Sequence, residues 1–155
     1  MKDKIIVGYD LGDTFSQISY CTYDDSEPET LEVVAGTESY NIPTVLCKRK
    51  GVNQWFYGKE AIKHAETEEC NLLTNLVELA KNGEAVRIED IEFDPVALLT
   101  LYVKRSLAMI SIVSGVCSAL LDKFIMQEYV EGINLSSSIL ATGSESRTII
   151  NSRLL

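Results

Sequence analysis

Ile5-Ile6-Val7-Gly8-Tyr9-Asp10-Leu11-Gly12-Asp13-Thr14-Phe15-Ser16 decides the fold. An apolar run of strand length ends on a carboxylate, and Asp10-Leu11-Gly12-Asp13 supplies turn formers directly after it. Ser16 to Tyr23 then alternates polar and apolar residues with a period of two, as a half-buried strand does. The two runs predict a hairpin. Its turn suits phosphate, because a glycine there lets backbone N–H groups approach an anion with no side chain in the way. Asp10 is placed to serve a nucleotide-bound Mg²⁺ through water, an ion that keeps several waters and takes one or two protein carboxylates. Thr14 adds a hydroxyl donor. The same Asp-x-Gly-x-Thr pattern also fits an ordinary tight turn, since Asp and Gly dominate turns for conformational reasons.

Working outward, Leu31 to Val34 reads as a third strand closed by Gly36, and Ile42 to Cys47 with Gln54 to Tyr57 as a further pair separated by Lys48 to Gly51. Lys59 to Glu69 is rich in helix formers. Leu72, Leu73, Leu76, Leu79 and Ala80 fall at helical spacing before Asn82-Gly83. Asp94-Pro95 starts another helix, with an N-cap acceptor followed by a proline whose missing N–H costs nothing in the first turn. Leu98, Leu99, Tyr102, Val103, Leu107 and Ile110 form its apolar stripe, with Thr100, Lys104 and Ser111 on another face. A further helical stretch is expected through Leu120, Leu121, Phe124 and Ile125 towards Gly132, and the Ser-rich remainder is expected to be poorly ordered.

The chain of 155 residues has room for one modest core. Lys plus Arg number 14 against 23 Asp plus Glu, a formal −9, so nucleic acid and anionic membrane are not expected partners, since their binders cluster basic side chains. The basic cluster Lys48-Arg49-Lys50 reads as a solvent-facing turn between strands. Cys21, Cys47, Cys70 and Cys117 form no Cys-x-x-Cys pair, which predicts reduced thiols and no zinc site. No apolar leader follows Met1-Lys2-Asp3-Lys4, and the uncharged run Ser106 to Leu121 falls short of the roughly 20 apolar residues of a membrane span; a cytoplasmic protein with a buried helix there is expected. His64 reads as a surface-helix residue and Glu66, Glu68 and Glu69 as a solvated face.

On these residues the chain resembles the seventy-kilodalton heat-shock chaperones of the actin/chaperone/sugar-kinase superfamily. Their opening strand and turn read Val-Gly-Ile-Asp-Leu-Gly-Thr-Thr followed closely by Ser, and Val7 to Ser16 matches except at Tyr9 and Asp13. Glu32-Val33-Val34-Ala35 leading to Ile42-Pro43-Thr44-Val45, and Tyr57-Gly58-Lys59-Glu60-Ala61 with Ala65, are similar to the segments that follow in that family. The resemblance implies a ribonuclease H-like α/β fold: an actin-like ATPase N-terminal lobe, incomplete, with a mixed sheet, flanking helices and a small subdomain inserted after the third strand. Residues 1–110 are expected to form the lobe with 37–90 as the insertion, 111–131 a helical extension and 132–155 the tail.

The resemblance also implies ATP or ADP with Mg²⁺ as cofactor, held by Asp10, Gly12, Asp13 and Thr14, with Asp10 on the metal. Asp13 stands where the family has Thr, which adds negative charge beside the phosphates. The family's catalytic lysine has no counterpart between Leu72 and Leu79, Lys81 is not a secure match, and a second phosphate motif and adenosine pocket are absent. The expectation is therefore a fragment or degenerate relative that binds nucleotide weakly, or only with another chain, and is not an enzyme alone. Two alternatives stand beside it: a non-enzymatic module that contacts a protein partner or a second copy through the apolar helical surface Leu107 to Leu121, and a truncated gene product.

Overall fold

The computed structural model describes residues 5–22, 27–67, 69–110, 124–129 and 146–151. Strands β1 (Ile5–Leu11) and β2 (Phe15–Thr22) make the expected antiparallel hairpin, with Ile5 opposite Thr22 and Leu11 opposite Ser16. Alternation along the pair sorts the two faces. Val7, Tyr9, Leu11 and Ile18 are buried, whereas Ile6 and Phe15 on the other face are exposed. β3 (Glu29–Thr30) and β4 (Ile42–Pro43) pair antiparallel with different parts of β2. On the far side of β1, β11 (Ser146–Asn151) runs parallel to it, and β10 (Phe124–Tyr129) runs parallel to β11. The order is β10-β11-β1-β2-β3, a mixed sheet in an α/β protein.

A three-stranded antiparallel sheet has β5 (Leu46–Arg49) at its centre between β6 (Trp55–Tyr57) and β7 (Cys70–Leu73). β8 (Val86–Ile88) and β9 (Ile91–Phe93) form a separate hairpin. Helix α1 spans Gly58–Thr67, α2 Leu76–Asn82 and α3 Pro95–Leu107. The start of α3 follows the sequence reading: Asp94 accepts the Val96 N–H at 3.2 Å and Pro95 sits in the first turn. Its buried positions Leu98, Leu99, Tyr102, Val103, Ser106 and Leu107 recur at helical spacing. With Val7, Tyr9, Leu11 and Ile18 of the hairpin and Leu46, Leu76, Val77 and Ala80, all of these but Ser106 form one core. Fully burying a side chain of the Leu or Ile class contributes about 1.5–3 kcal/mol, so this cluster is the main driving term.

Four expectations are corrected. The leucines assigned to a single helix divide: Cys70–Leu73 is strand β7, hydrogen-bonded to β5, and the helix begins at Leu76. Edge pairing overrides a spacing that either element could satisfy. The predicted third strand at Leu31 to Val34 is shifted, with Glu29–Thr30 pairing with β2 and Val34 forming an isolated bridge to Ser39 around Gly36, whose φ is 75°. Thr100, expected on a face apart from the apolar stripe, is buried, its hydroxyl donating to the Val96 carbonyl at 2.7 Å. Finally, Phe124–Tyr129 and Ser146–Asn151 are strands where helix and poorly ordered tail were expected, because the open edge of β1 offers a ladder that no local pattern announces. The rest of the expected extension and tail lies outside the described residues.

Candidate functional site

The turn between β1 and β2 carries the four residues singled out from the sequence. Asp10 lies near the end of β1, opposite Gln17, on the face away from the core. It is half-buried, and among the described residues none hydrogen-bonds its carboxylate. Gly12 is required by the tightness of the turn, since a Cβ there would sit 2.3 Å from the Phe15 carbonyl oxygen. Thr14 is exposed, and its carbonyl accepts the Thr44 N–H at 2.9 Å. The Thr44 hydroxyl donates to the Gly12 carbonyl at 2.7 Å. Its one proton being committed, the 2.9 Å contact with Ser16 Oγ makes Ser16 the donor there. Thr44, fully buried just after β4, thus grips the turn on both sides of Asp13. The sequence contained this residue in Pro43-Thr44-Val45 without any sign that it belonged to the site.

Asp13 turns to another partner. Its Oδ1 accepts the backbone N–H of Val77 at 3.2 Å and, more weakly, of Glu78 at 3.4 Å. These are unpaired first-turn donors of α2. The cap position itself is Asn75, in a left-handed conformation with no side-chain cap bond. The carboxylate that departs from the chaperone pattern therefore satisfies a helix end.

Behind the turn, buried hydroxyls link β1 to α3. Ser106 Oγ donates to the carbonyls of Tyr102 and Val103, both at 3.0 Å, so the 2.5 Å contact with Tyr9 has the phenol as donor. Tyr102 OH approaches the Ile42 carbonyl at 3.4 Å. Burial, reinforced by the neighbouring Tyr102, pushes the Tyr9 phenol well above its ordinary value, and burial likewise raises Tyr102 and Tyr57. These are neutral structural hydroxyls.

Other sequence candidates land elsewhere. Lys48 is buried, against the solvent-facing expectation, and pairs with Glu89 at 2.7 Å. His64 is partly buried and stacks on Phe56 with ring centres 3.6 Å apart, so it is not a plain surface residue. Lys81 is exposed in the last turn of α2. Leu107 and Ile110 belong to the core and are not an exposed apolar surface, while residues 111–121 lie outside the described residues. Cys21, Cys47 and Cys70 form no disulfide with one another. Among the described residues no group of three or more His, Cys, Asp or Glu could hold a metal ion, and no helix is long and apolar enough to cross a membrane.

The family model described as "Family of unknown function (DUF5716) C-terminal" matches residues 27–119, more than half of the chain. The chain belongs to this DUF5716 C-terminal family. The matched segment contains Thr44, α2 and α3 but begins after the hairpin, so the Asp10–Thr14 turn lies outside the part that defines membership. Family membership thus covers the partners that hold the turn and carries no stated activity. No curated protein matches the chain.

Proposed function

We propose that this chain is a chaperone-like nucleotide-binding lobe, degenerate or a fragment, that holds the phosphates of ATP or ADP with Mg²⁺ weakly through the Asp10–Thr14 turn. It does not hydrolyse nucleotide on its own. The observation that carries the reading is the grip of Thr44 on the turn, which takes up the carbonyls of Gly12 and Thr14. A turn fixed without ligand loses little freedom on binding. The half-buried Asp10 carboxylate fits a water-mediated Mg²⁺. The charge of Asp13, which would oppose phosphate, is partly offset by the α2 N–H groups it accepts.

The finer fold assignment rests on the sheet. An antiparallel run β1-β2-β3, parallel strands across β1, and a separate small sheet and hairpin following β3 in the chain support a ribonuclease H-like lobe. The heat-shock chaperones close such a site with two walls, since positioning and charge stabilisation need both, and the Asp10–Thr14 turn supplies one. Calorimetric titration of the chain with ATP plus Mg²⁺, beside Asp10→Ala, tests the reading: saturable heat in the wild type that the variant loses supports it, and no heat at millimolar nucleotide refutes it.

A second reading is favoured by the same bonds. Asp13 and Thr44 both hold parts of this chain to each other, and a hairpin clasp inside a non-enzymatic interaction module needs the same contacts. Under that reading Asp10→Ala leaves partner binding unchanged and nucleotide has no effect.

A further inference from the structure

The basic cluster Lys48-Arg49-Lys50 ends in a feature independent of the nucleotide reading. Lys48 is 3% exposed, and its ammonium donates to Glu89 Oε2 at 2.7 Å, while Glu89 Oε1 accepts the Gly51 backbone N–H at 2.9 Å. An ammonium and an amide N–H converging on the two oxygens of one carboxylate make a carboxylate receptor with charge-assisted bonds. Gly51, at φ +72°, adopts a conformation that side chains disfavour. The occupying residue is itself in an uncommon state: Glu89 has φ 56° in the tight turn between β8 and β9, a region that a long side chain seldom takes.

Around this pair lies a groove of about 580 Å³ whose wall includes Val52, Ile91 and Phe93. Val52 and Ile91, which both line this groove, are 48% and 52% exposed, open for aliphatic side chains. The volume falls in the range of small-molecule sites, roughly 300–1,000 Å³. Apolar walls beside a buried cation match an organic acid with an apolar body. The Glu89 carboxyl is held below the usual carboxylate range by the Lys48 hydrogen bond and then by the Gly51 amide, so the seat favours an ionised carboxylate at neutral pH.

We propose that Lys48 and Gly51 bind the carboxylate of a small, partly apolar organic acid, and that Glu89 fills the same seat when no ligand is bound. The internal carboxylate lowers apparent affinity by the fraction of time it occupies the receptor. Removing it therefore raises affinity, provided the turn keeps its shape. Glu89→Gly is the suitable variant, because glycine accepts the φ at which Glu89 is held.

The full chain, labelled for amide NMR, is titrated with 4-phenylbutyrate and with neutral 4-phenylbutyramide as control. Glu89→Gly is expected to bind the acid at least about tenfold more tightly than wild type, with the Gly51 amide shifting on saturation. Lys48→Met in the same background abolishes that binding, and the amide control binds neither protein. Equal affinity for the acid in wild type and Glu89→Gly, or binding of the amide as strong as that of the acid, overturns the proposal. Should Glu89→Gly lose its dispersed spectrum, Glu89→Asn, also tolerant of positive φ, is put to the same comparison and the same two outcomes.

Discussion

The Asp13 carboxylate accepts the backbone N–H of Val77 at 3.2 Å, across 64 positions of the chain. A helix as short as α2, Leu76–Asn82, has little stability of its own, because nucleation is costly and few bonds follow it. Its apolar residues Leu76, Val77 and Ala80 anchor it to the core, and Asp13 supplies the acceptor that Asn75 does not. The conformation of the β1–β2 turn and the order of α2 are consequently linked.

Asp13→Ala is expected to lower the unfolding free energy by about 1 kcal/mol, the usual value of a lost N-cap acceptor. Asp13→Asn, which keeps an acceptor oxygen, recovers most of it. Urea unfolding of the three proteins gives the comparison, and amide exchange at Val77 and Glu78 should quicken in the alanine variant before the core amides do.

Thr44→Val leaves the Gly12 carbonyl and the Ser16 hydroxyl without their partner while keeping the Thr44 N–H bond to Thr14. A buried polar group left unpaired costs about 1–3 kcal/mol. Thr44→Ser retains the hydroxyl and should lose less, mainly the packing of one methyl group. Thermal denaturation separates the two, and an equal loss in both would show that the hydroxyl is not what holds the turn.

The legibility of the sequence varied with how local each signal was. The apolar run from Ile5 to Tyr9, the turn formers after it and the alternation from Ser16 to Tyr23 identified the hairpin, and Asp94-Pro95 placed the start of α3 because a cap and a first-turn proline act within one turn of helix. Leu72 and Leu73 misled, since their spacing fits a helix face and a short edge strand equally. Lys48 looked solvated because nothing near it in sequence reveals Glu89, which arrives on another hairpin. The site followed the same pattern: Asp10, Gly12, Asp13 and Thr14 stood out as a turn, but the bonds made by Asp13 and Thr44 join segments far apart in the chain. Periodicity carries no information about such pairs.

Tyr9 gives a prediction at alkaline pH. Its folded pKa is raised above the ordinary 10.0, so the unfolded chain releases this proton first. The contribution is fully present below pH 10.0 and is lost as pH rises through the window above it. Tyr9→Phe should therefore flatten the fall in stability above that pH, while costing about 0.5–1.5 kcal/mol at neutral pH for the lost bond to Ser106. Unfolding midpoints measured across the alkaline range decide it.

At the acid end the sign reverses. The Glu89 carboxyl lies below its ordinary 4.5 when folded, chiefly through Lys48, so its contribution is present above pH 4.5 and disappears as pH falls below it. Glu89→Gln should remove that part of the acid dependence. Added salt should weaken the wild-type contribution only modestly, because Lys48 is screened from solvent.

The most direct test of the nucleotide reading is an amide NMR titration of the labelled chain with ATP plus Mg²⁺. Saturable shifts confined to Gly12, Asp13, Thr14 and their neighbours, lost in Asp10→Ala, are the predicted result. Unmoved amides throughout that turn at millimolar nucleotide would contradict it and leave the hairpin as a structural clasp.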